Sequence, residues 1–275
     1  MDAQQEQTSA WNGTGGNAWV RLQPVLDAMY AGIEELLVDR VAAAVTGPAP
    51  VVIDVGCGTG ATTLAIARRL GPAASCRGVD LSEPMVALAR TREPGPAEFL
   101  VADAARHPFP PGEADVIASR FGVMFFDDPV AAFANLRAAT RPGGSLRAIV
   151  WRGAAENPFM TRAVEAAAPL LDVAPYDPDV PGPFALADTD RALGLLRAAG
   201  WSTVTADPVD VACALPAGAL DAYVGALGPV GRALASRDEA TRDRVVEHLR
   251  PAFDEFRVGD DIRFTAACWL LGARA

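Results

Sequence analysis

The stretch Val51–Gly60, VVIDVGCGTG, constrains this chain more than any other. Val51, Val52, Ile53 and Val55 frame Asp54, and Gly56, Gly58 and Gly60 then alternate with Cys57 and Thr59. A β-branched run that closes on a glycine-rich turn and opens a helix is how parallel α/β sheets offer backbone amides to a nucleotide-like ligand. With Ala61 included, Gly56, Gly58 and Ala61 also satisfy the G-x-G-x-x-A dinucleotide spacing. A pyrophosphate and some other ligand therefore both stand as readings of the loop.

The flanking sequence alternates strand and helix signals. Apolar residues at helical spacing (Val20, Leu22, Val25, Leu26, Met29, Ile33, Leu36, Leu37, Val41) predict one or two helices over 18–46, whereas residues 1–10 read as disordered. Strand 51–55 and helix 61–70 come next, then strand 75–81, helix 83–91, strand 98–101, strand 114–119, helix 129–140 and strand 145–151. Either Asp127 or Asp128 is placed to cap the helix at Pro129. This order predicts a parallel sheet covered by helices on both faces. Residues 152–187 are rich in proline and weakly periodic. A helix over 188–199, a strand over 201–214, two helices within 217–256 and a last strand over 262–271 complete the chain, and the final two strands suit an antiparallel pair at the sheet edge.

Composition removes several function classes. The formal charge is −10, and all 24 basic residues are Arg, scattered singly or in pairs. A nucleic-acid groove needs clustered cations, so no nucleic-acid partner is expected. Cys57, Cys76, Cys213 and Cys268 have no C-x-x-C spacing and read as reduced, buried thiols, with no metal site. MDAQQEQTSA lacks the marks of a signal peptide, and no apolar run reaches the ~20 residues of a bilayer span. A cytoplasmic protein without a membrane partner is expected, and the Arg-for-Lys bias suggests a GC-rich bacterial coding sequence.

Asp54 separates the two readings of the loop. Its carboxylate meets whatever the glycines hold. Beside a pyrophosphate the like charge costs about 3 kcal/mol at ~5 Å and an effective dielectric of about 20; beside an ammonium the same interaction attracts. Asp80 ends the second strand, where a carboxylate accepts both hydroxyls of a ribose. Asp103 ends the third, positioned for an exocyclic adenine amine, with the Ala104 N–H beside a ring nitrogen. Each acid alone is better explained as a cap for the following helix. Together they describe S-adenosylmethionine.

Four stretches in order carry a family likeness: VIDVGCGTG, GVDLSEPMVALAR, VADAARHPFPPGEADVI and LRAATRPGGSLRAIV. They resemble the class I S-adenosylmethionine-dependent methyltransferases, across roughly residues 11–275. The likeness is nearest to the small-molecule branch that includes quinone-biosynthesis and natural-product methyltransferases, which WNGTGGNAW (11–19) and SRFGVMFFDDP (119–129) also suit. It implies a Rossmann-like, doubly wound α/β fold with a seven-stranded sheet, mostly parallel with an antiparallel last strand, and a helical lid. The cofactor contacts it implies are Asp54, Gly56, Cys57, Gly58, Gly60, Asp80, Leu81, Met85, Asp103, Ala104 and Ser119, with Trp11, Asn12 and Trp19 brought near the cofactor by a flexible N-terminal flap over 1–17. Residues 18–275 form a single domain, with lid segments at about 155–187 and 217–256. The tryptophans are equally explained as packing.

Displacement at a sulfonium needs mainly alignment and a dry site. A high-pKa acceptor also needs a base. Arg120, His107 and Tyr176 are the candidates beside the chemistry, with Tyr30, Tyr223 and His248 behind them; Arg120 is equally read as an ion-pair partner of Asp127 or Asp128, and Arg21 as a partner for the cofactor carboxylate. Phe121 and Met124 are substrate-side candidates, with Phe125 and Phe126 read as core. Apolar lid residues such as Phe159, Phe184 and Leu220 suggest a small apolar or aromatic acceptor for a monomer or homodimer. Three alternatives stand beside methyl transfer: a non-methylating reaction (cyclase, lyase or rearrangement) on the same cofactor, a non-catalytic partner subunit, and a nicotinamide oxidoreductase.

Overall fold

The computed structural model describes residues 3–92 and 97–275. Its helices are α1 (Ala3–Asn12), α2 (Thr14–Met29), α3 (Ala31–Ala42), α4 (Ala61–Leu70), α5 (Glu83–Thr91), α6 (Pro129–Ala139), α7 (Pro158–Ala167), α8 (Thr189–Ala198), α9 (Leu220–Ala226), α10 (Gly228–Leu234) and α11 (Glu239–Leu249). The strands are β1 (Val51–Val55), β2 (Ser75–Asp80), β3 (Ala97–Val101), β4 (Ala114–Arg120), β5 (Thr140–Trp151), β6 (Ser202–Pro216), β7 (Arg257–Val258) and β8 (Asp261–Arg274).

The sheet runs β3-β2-β1-β4-β5-β8-β6, with the two-residue β7 pairing beside β8. β1 through β5 are mutually parallel, and β8 is antiparallel to both β5 and β6. Seven long strands thus match the expectation, and β7 makes an eighth. The last two long strands form the expected antiparallel pair at the sheet edge. β6 forms the edge and β8 slots between β5 and β6. Chain order reverses at β1, which pairs with β2 on one side and β4 on the other. That reversal opens a crevice above the carboxyl ends of β1 and β4, where doubly wound sheets hold ligands.

Local chemistry explains the elements. Val52, Ile53 and Val55 are buried, as strands covered on both faces require. Asp128, rather than Asp127, caps α6 by accepting from the Ala131 amide at 3.0 Å. β5 begins at Thr140, five residues early, because Thr140 pairs with Ala114 and a bulge then carries the Pro-Gly-Gly turn before Ser145 pairs with Val116. Of residues 1–10, which read as disordered, 3–10 are helical, within α1; Met1 and Asp2, also part of the flap expected over 1–17, lie outside the described residues. The two helices expected within 217–256 are three, followed by a 3-10 stretch at Arg250–Phe256, and 152–187 contains α7. Helices α7, α9, α10 and α11 pack into one cluster. All four cysteines are free and buried. Among the described residues no helix is long and apolar enough to cross a membrane.

Asn157 ties this cluster to the sheet. It is 2% exposed, donates to the Ala267 carbonyl at 3.0 Å and accepts from the Ala267 amide at 3.0 Å. Asn157→Ala leaves that buried amide unpaired. A loss of about 1–3 kcal/mol in unfolding free energy is expected from denaturant titration, and an unchanged midpoint contradicts the assignment.

Candidate functional site

The crevice is built on glycine. Gly56, Gly58 and Gly60 have φ of 71°, 53° and 88°, a region that other residues enter only with strain. A Cβ on Gly56 would lie 2.5 Å from the Gly122 Cα, and one on Gly122 would lie 2.4 Å from the Val55 carbonyl oxygen. The loops after β1 and β4 therefore touch backbone to backbone. Ser119 binds them together: its hydroxyl donates to the Val55 carbonyl at 2.8 Å and accepts from the Gly122 and Val123 amides. Fully buried and engaged in this way, that hydroxyl shapes the crevice rather than facing it. Phe121 sits in the left-handed region at φ 68°, held by its amide on the Ile149 carbonyl and by stacking on Trp151 at 4.4 Å. Cys57 is buried beneath the loop, and burial pushes its thiol well up.

The three acids occupy the strand ends, each in its own manner. Asp54 is 1% exposed; one oxygen accepts from Thr63 Oγ1 at 2.6 Å, and the other, Oδ1, is buried without a hydrogen-bond partner. Burial pushes this carboxyl up to about 7, against the Thr63 bond and the Arg120 charge, which lower it. Asp80 accepts from the Gly58 amide through one oxygen and the Ser82 amide through the other, both at 2.8 Å. It thus locks the glycine loop to the turn after β2, and burial outweighs these bonds to raise its pKa. Asp103 accepts from the Ala105 amide at 2.9 Å and lies 4.0 Å from Arg106. Ala104 is buried, with its carbonyl held by Asn135, which also holds the His107 carbonyl. Met85 is buried in α5, its sulfur 3.7 Å from where a Cβ on Gly58 would stand.

The N-terminal segment lies across the β2 turn. Asn12 donates to the Leu81 carbonyl at 3.0 Å and accepts from the Glu83 amide at 2.9 Å, capping α5 from outside. The Trp11 carbonyl accepts from Ser82 Oγ at 2.6 Å, and the Trp11 ring meets Phe125 edge-on at 5.2 Å. A Cβ on Gly16 would overlap the Trp11 carbonyl oxygen, so this crossing needs glycine. Trp19 packs on the core and Arg21 is exposed on α2.

Opposite lies an aromatic wall. Arg120 donates to Thr62 Oγ1 at 2.9 Å and holds its guanidinium 5.9 Å from the centre of the Tyr30 ring, so its partners are Thr62 and Tyr30 rather than Asp127 or Asp128. Tyr30 contacts Phe121 and Trp151 at 5.7 and 6.1 Å, and burial pushes its phenol well up. Tyr176 meets Phe184 edge-on, and burial pushes it up to about 12. Met124 is buried, its sulfur accepting from the Trp151 amide, and Phe126 packs on Phe133 as a core residue. His107 leans on Phe109, and His248 is exposed on α11. Thr62, Thr63, Gly122 and Asn135 were not singled out from the sequence. The only signal for the threonines is their place in the first turn of α4, directly after the glycine loop.

Comparison with known proteins agrees with this geometry. Residues 53–148 match the family described as "Methyltransferase domain". The chain is similar to nocamycin O-methyltransferase of Saccharothrix syringae, 32% identical over 171 residues, covering 53% of this chain and 59% of the relative. It is also similar to a ubiquinone/menaquinone biosynthesis C-methyltransferase of Burkholderia cenocepacia, 34% identical over 96 residues, covering 34% and 40%. The chain thus spans less than two thirds of these relatives' length. The solved structure of the [4+2]-cyclase SpnF shares the fold with a TM-score of 0.55 and 21% identity, covering 94% of each chain.

The Asp54 geometry sets a pH dependence. A carboxyl raised from 3.8 to about 7 in the folded chain contributes stability that is full below pH ~4 and lost as pH rises through ~7. Denaturant titrations of the wild type and Asp54→Asn are expected to diverge over that window, with the variant relatively more stable at pH 8. Parallel pH profiles contradict the assignment.

Proposed function

With a methyltransferase domain occupying residues 53–148 as the premise, we propose that this protein transfers a methyl group from S-adenosylmethionine to a small, largely apolar or aromatic metabolite. The observation that carries the reading is the unpartnered Asp54 Oδ1, buried at the reversal of chain order. A buried carboxylate oxygen without a partner is costly. The ammonium of an amino-acid nucleoside supplies both the missing donor and the opposite charge. When bound, the cofactor supplies a methyl carbon made electrophilic by its sulfonium.

The chain's own residues then have separate tasks. Asp54 receives the ammonium. The glycine loop leaves room for the backbone of the ligand. Asp80 keeps lone pairs for the ribose hydroxyls while it holds Gly58 and Ser82. Asp103 and Ala104 border the adenine. Residues 1–17 act as a flap over the cofactor through Trp11 and Asn12, and the segments at 155–187 and 217–256 act as the lid of a single domain over 18–275. The family match ends at Ala148, ahead of both lid segments, so the acceptor's identity rests on the aromatic wall. A cytoplasmic bacterial protein, monomeric or homodimeric and without a nucleic-acid partner, completes the reading.

A second reading, a non-methylating reaction on the same cofactor, has one observation in its favour, the likeness to the [4+2]-cyclase. Mass analysis with methyl-labelled S-adenosylmethionine separates the two. Methyl transfer yields S-adenosylhomocysteine and a labelled acceptor; intact cofactor beside a rearranged product overturns it. Asp80→Ala is expected to weaken S-adenosylhomocysteine binding about tenfold or more in calorimetry, and an affinity unchanged within twofold removes the ribose from this position.

A further inference from the structure

Asp54 and Arg120 bring opposite charges to one face of the sheet, one strand apart. Asp54 is in register with Ala118 of β4, and Arg120 stands two residues further along that strand. Side chains two apart share a face, so both rise toward α4 from Cα atoms about 8 Å apart. The first turn of α4 meets each of them. Thr63 Oγ1 donates to Asp54 Oδ2 at 2.6 Å, and the neighbouring Thr62 Oγ1 accepts from Arg120 Nε at 2.9 Å. Both threonines are buried. One hydroxyl serves as donor to the carboxylate and the next as acceptor for the guanidinium.

A carboxylate and a guanidinium at this separation ordinarily close on each other as a bidentate pair. Here they stay apart. Among the described residues Arg120 enters no ion pair, and Asp54 Oδ1 has no hydrogen-bond partner. The two terminal nitrogens of Arg120 carry no hydrogen bond among those residues either. They are not among the sealed polar atoms, so this half-buried side chain keeps them open to solvent. The Tyr30 ring backs the guanidinium at 5.9 Å. The Arg120 charge reaches Asp54 and also Glu34 on α3, opposing the effect of burial on both.

Two opposite charges with open valences, each held by its own threonine, complement a group that carries both signs on one carbon. The ammonium and carboxylate of an α-amino acid are such a group. We propose that Arg120 binds the α-carboxylate of the same amino-acid tail whose ammonium Asp54 receives, so that the pair reads S-adenosylmethionine as a zwitterion. This deepens the methyl-transfer reading and rests on it. With Nε committed to Thr62, the terminal nitrogens form the planar fork that matches a carboxylate. Arg120 is then a binding residue and takes no proton in the reaction. Arg21, the other arginine considered for this carboxylate, is exposed on α2.

The probes are S-adenosylhomocysteine and its decarboxylated analogue, which keeps the amine and lacks the carboxylate, each titrated by calorimetry. The wild type is expected to prefer S-adenosylhomocysteine by about tenfold or more. Arg120→Met is expected to bring the two affinities within about threefold while binding the decarboxylated analogue as the wild type does. A merely structural arginine would weaken both ligands alike. Asp54→Asn, which acts on the amine, is expected to weaken both and to keep the preference. Thr62→Val removes only the anchor of the guanidinium; it is expected to reduce the preference and serves if Arg120→Met does not fold. A full preference in Arg120→Met, or an equal loss for both ligands, overturns the proposal; the first result leaves the guanidinium for an anion on the acceptor. No binding of S-adenosylhomocysteine by the wild type sinks the methyl-transfer reading, whereas binding without a carboxylate preference sinks this inference alone.

Discussion

The site depends on one carboxylate placed where a carboxylate is expensive. Asp54 lies in a strand otherwise made of valine and isoleucine, 1% exposed, with Thr63 on one oxygen and nothing on the other. Desolvation outweighs both the Thr63 bond and the Arg120 charge, which is why the group is held near neutrality rather than deep in the carboxylate range. The surrounding loops are set by the glycines at positive φ, by the contact of Gly56 with Gly122, and by the Ser119 hydroxyl joining both loops.

Two halves of the crevice meet along Arg120. On one side are the acids at successive strand ends, each tied to neighbouring backbone amides or hydroxyls, so their geometry is set before any ligand arrives. On the other side are rings and phenols carried by the α2–α3 junction, α9 and the 168–188 segment. The first side requires fixed charges. The second side is carried by α2 and α3, which pack on the sheet, and by the helical cluster that Asn157 ties to Ala267. The family likeness covers residues 53–148, which hold the acids and Phe121, and leaves out Tyr30, α9 and the 168–188 segment.

The same division governs what was legible in the sequence. β1, α4 and α5 begin and end where glycine, proline and strand residues place them, because those signals are local. The sheet's closing arrangement was less legible: β8 lies between β5 and β6 because of pairing across more than a hundred residues, which no local pattern encodes. Asp54, Asp80 and Asp103 were visible as acids at strand ends. Their actual partners were not, since Asp80 reaches 22 residues back to Gly58 and Asp54 reaches into the first turn of α4. The partners of Ser119 and Arg120 were likewise not legible, since Ser119 binds the Val55 carbonyl and Arg120 binds Thr62. The Tyr30–Trp151 contact joins residues more than a hundred apart and exists only once α2 and α3 fold onto the sheet.

The most direct measurement of the central claim counts protons. If Asp54 receives a ligand ammonium, binding must drive the carboxyl to its ionised form and release the proton it holds near pH 6. Calorimetry of S-adenosylmethionine binding in buffers of different ionisation enthalpy is expected to show most of one proton released at pH 6, falling away above pH 8. Asp54→Asn should lack that release. Equal proton counts for the two proteins at pH 6, or proton uptake on binding by the wild type, would place the cation elsewhere and contradict this account.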